Sequence, residues 1–251
     1  MPGSGATVGC GRQVHTGRGE APSVLEGAEF RDRAIYFDDE RTLVLADLHV
    51  GRDRASPVSL PLGEHDDLAG RLDGLLYRFS PETVVVAGDL LHSYGTVPEE
   101  VGDSVAALLS LIERAGATPI VTPGNHDAML GAVFDGESPE CYRTGDVAIC
   151  HGHAEVDACA PLTVLGHDHP AIRIEGRKRA CYLLGPRSGG EGRVLVLPAF
   201  NRLTRGVDVA RSRSFLSPLL SDPGAYRPIV RDEEGDETLP FPPLSRLRRL
   251  L

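Results

Sequence analysis

Short runs of consecutive apolar residues, each ended by a polar motif, punctuate the first two thirds of the chain. TLVLA (42–46), TVVVA (Thr83–Ala87), TPIVT (Thr118–Thr122), VAIC (Val147–Cys150) and TVL (163–165) have no polar face. That pattern predicts strands buried on both sides. Residues 28–37 and 42–46 read as two strands joined by a turn at Asp38-Asp39-Glu40. Between the runs the period changes. Leu68, Leu72, Leu75, Leu76 and Phe79 recur at helical spacing in 64–79, and Val101, Val105, Leu108, Leu109 and Ile112 do so in 98–115. Pro98 suits a first helical position and Gly116 a stop. The order strand–helix–strand–helix–strand predicts parallel strands with right-handed crossovers. After 150 helical spacing fades. Residues 171–174, 180–184 and 194–197 read as an antiparallel set with Gly-rich turns at 185–192. Residues 1–20, rich in Gly and small polar residues, read as a disordered tail ahead of one domain over 21–251. The final LPFPPLSRLRRLL, with Leu244, Leu247, Leu250 and Leu251, reads either as a short helix docked on the sheet or as a partner-binding segment.

The polar motifs fall where the runs stop. Asp47-Leu48-His49 follows LVLA, Gly88-Asp89 follows VVVA, and Gly124-Asn125-His126-Asp127 follows PIVTP. His151 follows VAIC, and Gly166-His167-Asp168-His169 follows TVL. Each motif thus stands at a strand's carboxyl end, the edge at which open α/β sheets build their sites. One such coincidence is weak, because an Asp after a strand is more often a helix cap. Five point to a cluster, since parallel neighbours bring those ends together. Carboxylates, an amide oxygen and imidazoles in one place suit two transition-metal ions. His167 and His169 share a face if they lie on a strand, and both can reach one site from a loop.

Composition narrows the class. With 251 residues, 41% hydrophobic and 25% charged, the chain reads as a soluble α/β protein. It has no apolar run of 18 residues to span a membrane. The opening MPGSGATVGCGRQ lacks the apolar core of a secretory signal. Five cysteines (Cys10, Cys141, Cys150, Cys159, Cys181) without a CxxC pair predict no disulfide framework and fit a reducing cytoplasm. A net charge of -10 argues against broad, charge-driven binding to duplex DNA. Residues 171–213 run the other way, with ten Arg or Lys and three acids. They form either a solvated arginine-rich surface or a positive rim, including Arg173, Arg177, Arg202 and Arg205, that guides a phosphate chain.

The ordered set DxH, GD, GNHD, H, GHxH, over about residues 42–170, resembles the calcineurin-like metallophosphoesterase superfamily. That resemblance implies a four-layer α/β/β/α sandwich of two mixed sheets and two divalent metal ions, Mn²⁺ favoured, with Fe, Zn, Co or Ni tolerated. It implies that Asp47, His49 and His169 hold one metal, that Asn125, His151 and His167 hold the other, and that Asp89 bridges them. His126 would face the substrate and protonate the leaving oxygen, and Asp127 would orient the loop. The attacking group would be a hydroxide between the metals. His153 is an alternative ligand to His151. His151 is preferred because it follows the strand directly, and His153 would then support it from outside. His92, three residues after Asp89, is similar to the extra histidine of the SbcD-like repair nucleases and the DNA-ligase-associated phosphoesterases, where it helps position the phosphate. The alternative for His92 is a hydrogen-bonded loop residue. GHDHPAI (166–172) and LPAFN (197–201) look closest to a small archaeal SbcD-related group. Unlike SbcD-like nucleases, the chain has only about 80 residues after Gly166-His167, too few for their capping domain as well. The expected substrate is therefore a nucleotide or single-stranded nucleic-acid phosphodiester. The alternatives are hydrolysis of phosphomonoesters or cyclic nucleotides and, in another class, a metal-free binding scaffold. A DNA-repair partner protein is suggested only by the related families.

Overall fold

Two mixed β-sheets face each other in the computed structural model, which describes residues 25–54, 63–92, 95–157 and 160–249. The expected tail over 1–20, and with it Cys10, lies outside the described residues, as do Cys159, Leu250 and Leu251. In chain order the first half supplies β1 (Ala28–Arg31), β2 (Ala34–Phe37), β3 (Thr42–Leu45), α1 (Glu64–Phe79), β4 (Thr83–Ala87), α2 (Glu99–Arg114) and β5 (Thr118–Thr122). These strands form one sheet in the order β1-β2-β3-β4-β5. β3, β4 and β5 run parallel, as the alternation with helices requires. Pro98 caps α2 from outside rather than opening it, and Glu99 and Glu100 occupy the first turn, where the helix dipole favours acids.

The second half supplies β6 (Tyr142–Thr144), β7 (Val147–Cys150), β8 (Leu162–Leu165), β9 (Pro170–Ile174), β10 (Arg177–Ala180), β11 (Tyr182–Pro186), β12 (Arg193–Val196), β13 (Val207–Asp208), β14 (Arg227–Asp232), β15 (Glu237–Pro240) and α3 (Leu244–Leu247). Seven of these strands form the second sheet, β15-β14-β11-β12-β8-β7-β6, whose centre, β7, β8 and β12, is parallel. Three form a small sheet, β10-β9-β13.

Burial explains the unbroken apolar runs. Successive strand residues point to opposite faces. Leu43, Leu45, Val84 and Val86 pack under Leu68, Leu72, Val105 and Leu108 of the two helices. Val44, Ala46, Val85 and Ala87 meet Ile149, Val164, Leu195 and Leu197 across the gap between the sheets. The outer face of the second sheet, with Cys150, Leu165 and Val196, is covered by Ile172 of β9, by Leu219, Leu220 and Tyr226, and by Leu244 and Leu247. Four layers result, the outermost built of a small sheet, loops and the one-turn α3. Leu244 and Leu247 therefore take the docked alternative.

Two expected strands are divided. Residues 28–37 form a hairpin in which Asp32 and Arg33 have φ of 44° and 69° and Arg31 pairs with Ala34. A two-residue turn matching strand twist needs two such left-handed residues, and Asp-Arg carries none of the usual Gly or Asn signal. Residues 180–184 change sheets at the buried Cys181, whose N–H donates to Pro170 O at 3.1 Å. As a result the expected antiparallel set separates. β9 pairs antiparallel with β10 in the small sheet, and β11 pairs antiparallel with β12 in the large one, where β12 also lies parallel to β8. Among the described residues no helix is long and apolar enough to cross a membrane.

Candidate metal centre

β3, β4, β5, β7 and β8 end immediately before the five polar motifs. Backbone hydrogen bonds carry the pairing past the strand ends: Asp47 N–H to Gly88 O at 3.0 Å, His49 N–H to Asp89 O at 2.8 Å, and Gly166 N–H to His151 O at 3.1 Å. Asp47, His49, Asp89, His167 and His169 all have left-handed backbone, with φ between 44° and 68°. Outside glycine that conformation costs about 1–2 kcal/mol per residue. Its concentration in five adjoining residues marks a place where geometry is held against local preference.

The side chains converge. Asp47 Oδ1 lies 3.1 Å from His169 Nε2. His49 Nε2 lies 3.3 Å from His169 Nε2 and 3.7 Å from Asp89 Oδ2. One donor atom from each of Asp47, His49, Asp89 and His169 falls within 4.8 Å of the others. Donors bound at about 2.0–2.2 Å to one cation stand roughly 3–4.4 Å apart, so this group could hold an ion. On the other side of Asp89, its Oδ2 is 3.5 Å from His151 Nε2, which is 3.2 Å from Asn125 Oδ1. The His167 ring lies 5.0 Å from that of His151. His151 Nδ1 donates to Ala87 O at 3.1 Å. This leaves the Nε2 lone pair facing Asn125 Oδ1 at 3.2 Å, a pair of acceptors that a cation between them would suit.

The charges point the same way. Burial opposes ionisation of Asp47, but His169, His151 and His49 outweigh it and hold the carboxyl at about 2. Asp89 is pushed up to about 8 by burial and by the Asp47 charge. Burial takes His49 down to about 3 and His151 to about 4. Asp47 owes its low value chiefly to His169, which Asp47 in turn raises, whereas His49 and His151 present neutral imidazoles and the buried Asp89 carboxyl needs a cation to ionise, a set that suits a divalent ion.

The remaining predicted residues occupy distinct places. His126 donates its backbone N–H to Asp89 Oδ1 at 2.9 Å, and its ring stacks on His92 at 5.4 Å with an interplanar angle of 17°. A ring nitrogen of each of His49, His92 and His126 lies within 4.8 Å of the others, so His92 belongs to the cluster. Asp127 accepts from the N–H groups of Leu90, Leu91 and Gly124 and thereby clamps the loops after β4 and β5 together. His153 is exposed, its ring 5.3 Å from His151 and 6.3 Å from His167. The arginines divide. Arg202 and Arg205 line a cavity beside His169, whereas Arg173 donates to Gly176 O and Arg177 stands opposite Ile174, both at the far end of β9 and β10.

Three residues in or around the cluster escape sequence reasoning. Glu64 accepts from the N–H groups of Gly51 and Arg52 and from Asn201 Nδ2, and Asn201 also donates to Leu48 O. Together they fix the loop carrying His49. An acid in a helix's first turn looks like ordinary dipole compensation, so Glu64 gives no signal. After burial, the Arg52 charge is the next cause lowering His92 to about 4, and it also acts on His126 and His169. Arg52 is therefore close enough for its charge to act on all three histidines.

Close approach explains two of the motif glycines. A Cβ on Gly88 would fall 2.2 Å from His151 Nδ1, and one on Gly124 would fall 2.1 Å from Asp89 Oδ1. Gly88→Ala is expected to displace His151, lowering stability by about 1–3 kcal/mol and reducing bound metal. Thermal unfolding and elemental analysis check this. Unchanged metal content would mean that His151 is not held as described.

A family model described as Calcineurin-like phosphoesterase matches residues 40–171. Among solved structures, the nuclease MPE of Pseudomonas putida is similar at a TM-score of 0.59 and 23% identity, over 79% of this chain and 88% of that one. Yfce, a phosphoesterase from E. coli, gives 0.42 and 15%, over 79% and 96%. No curated protein matches the chain.

Proposed function

The chain belongs to the calcineurin-like phosphoesterase family, and from that membership we propose a dinuclear phosphodiesterase that acts on nucleic-acid or nucleotide phosphoesters. Asp47, His49 and His169 would hold one divalent cation and Asn125, His151 and His167 the other, with Asp89 between them. The observation that carries this reading is Asp89 Oδ2, which faces His49 Nε2 at 3.7 Å and His151 Nε2 at 3.5 Å. A hard anionic oxygen in that position offsets the repulsion of two cations. When bound, such a pair lowers the pKa of water and neutralises charge on a phosphoryl group.

The protein's own groups then divide the work. His126 gives a proton to the leaving oxygen. Burial lowers its basicity, and the negative charge of a bound phosphate acts in the opposite direction. His92, stacked on His126, and Arg52 orient the phosphate. Asp127 holds the backbone of both loops. Mn²⁺ suits the mixed oxygen and nitrogen donors, as do Fe and Zn. The Pseudomonas putida protein of the same fold is a nuclease, in keeping with a nucleic-acid phosphodiester.

A substrate panel with Mn²⁺ tests the reading: a bis-aryl phosphate, a mono-aryl phosphate, cyclic nucleotides, and single- and double-stranded oligonucleotides. Diesters are expected to exceed monoesters in kcat/KM by tenfold or more, and single strands to exceed duplex. Faster monoester turnover would overturn the diesterase reading. Protein free of metal after purification without chelator, with no turnover on metal addition, would restore the scaffold alternative.

A further inference from the structure

Beside His169 the surface opens into a cavity of about 280 Å³, lined by Arg33, Lys178, Arg202, Thr204 and Arg205. Four cations around one small opening are unusual in a chain of net charge -10. The nearby acids do not neutralise them. Asp32 and Asp67 each pair with Arg202 at 3.0 Å, but the same two carboxylates also pair with Arg71, at 3.3 and 3.0 Å. Among the described residues Arg33 donates only to the carbonyls of Ala199 and Asn201, and Lys178 to Gly206 O. Among the described residues no carboxylate pairs with Arg33, Lys178 or Arg205. Burial, and then the charges of Arg71 and Arg202, take Arg33 down to about 10 against the opposing charges of Asp32 and Asp67. Thr204, on the same wall, has a buried hydroxyl with no hydrogen-bond partner among the described residues.

Position gives the cavity its meaning. His169 is both a wall of the opening and a member of the metal-ligand cluster, so an anion here lies next to whatever the cluster binds. Guanidinium groups match phosphate oxygens in shape as well as charge. No Phe, Tyr or Trp lines the cavity, so beyond the His169 ring and the guanidinium planes its walls offer a base no aromatic stacking surface. We propose that this cavity is a subsite for the phosphate adjacent to the scissile one, which makes a phosphodiester chain, whatever its sequence, a better substrate than an isolated diester. The proposal rests on the phosphodiesterase reading above. It assigns Arg33, Lys178 and Arg205 to chain recognition rather than to bond cleavage.

The test compares Arg205→Gln and Lys178→Gln, singly and together, with Arg114→Gln. All three positions are exposed, and Arg114 ends α2 before the amino end of β5, away from the cluster. For each Mn²⁺-loaded enzyme, kcat/KM for an oligothymidylate is divided by kcat/KM for a bis-aryl phosphate. The paired variant is expected to lower this ratio tenfold or more, mainly through KM, whereas Arg114→Gln leaves it unchanged. In parallel, full-length protein in chelator is titrated with labelled oligothymidylate at several salt concentrations. The subsite variants should bind more weakly, and the slope of log K against log salt should shrink by about 0.7 for each phosphate no longer neutralised. The subsite is overturned if the wild type binds no oligonucleotide, or if the subsite variants match Arg114→Gln in both ratio and binding. Wild-type protein that cleaves no diester but binds oligonucleotide through Arg205 and Lys178 would remove the phosphodiesterase reading and keep the anion site.

Discussion

Asp89→Asn is expected to lose bound metal and at least about a thousandfold in kcat/KM, on the order of 4 kcal/mol of transition-state stabilisation. Asn has nearly the same shape, and its Oδ1 can still accept the His126 N–H that Asp89 accepts at 2.9 Å. The loop after β5 should therefore stay in place, and the variant should share the thermal midpoint of metal-free wild type. What disappears is the negative charge between His49 and His151. Metal per chain by elemental analysis and turnover of a bis-aryl phosphate read the two effects together. A variant that retains both metal and activity would show that Asp89 does not link the two groups.

His126→Ala is expected to behave differently, keeping its metal while losing about 10²–10⁴ in rate. Only the backbone of His126 bonds to Asp89, and a backbone N–H survives the substitution. Its imidazole Nε2 stays 3.9 Å from Asp89 Oδ2 and remains partly exposed. Leaving-group dependence distinguishes proton donation from simple positioning. An aryl oxide leaves readily without a proton, so its loss should be small, whereas an alkyl or nucleoside alkoxide needs the proton and should show the full loss. Equal losses for both would place His126 in another role.

Sequence alone carried the parts of this protein that depend on local pattern. The five runs before Asp47, Asp89, Asn125, His151 and His167 are strands because they are apolar on both faces, and the motifs meet because parallel strands share an edge. Long-range contacts did not show. Glu64 and Asn201, 137 residues apart, bond at 2.7 Å, and although Asn201 ends the LPAFN motif nothing in the sequence pairs it with Glu64. Arg33 reads as a strand residue, yet the Asp32-Arg33 turn carries it to the cavity beside His169. The sheet change at Cys181 was hidden for a similar reason. A buried strand continuing straight and one stepping to another sheet have the same apolar composition, and only the pairing partners differ.

The left-handed residues and shared donors bear on how the protein assembles. Asp47, His49, Asp89 and Asn125 leave strands of the first sheet, while His151, His167 and His169 leave strands of the second. On the proposed assignment neither half could hold both cations alone, so the centre would form only after the two sheets dock, a late event in a chain dominated by distant contacts. Ions that bind only the docked state would then rivet the halves together and slow their parting. Incompletely folded chains would have no means of cutting a phosphoester.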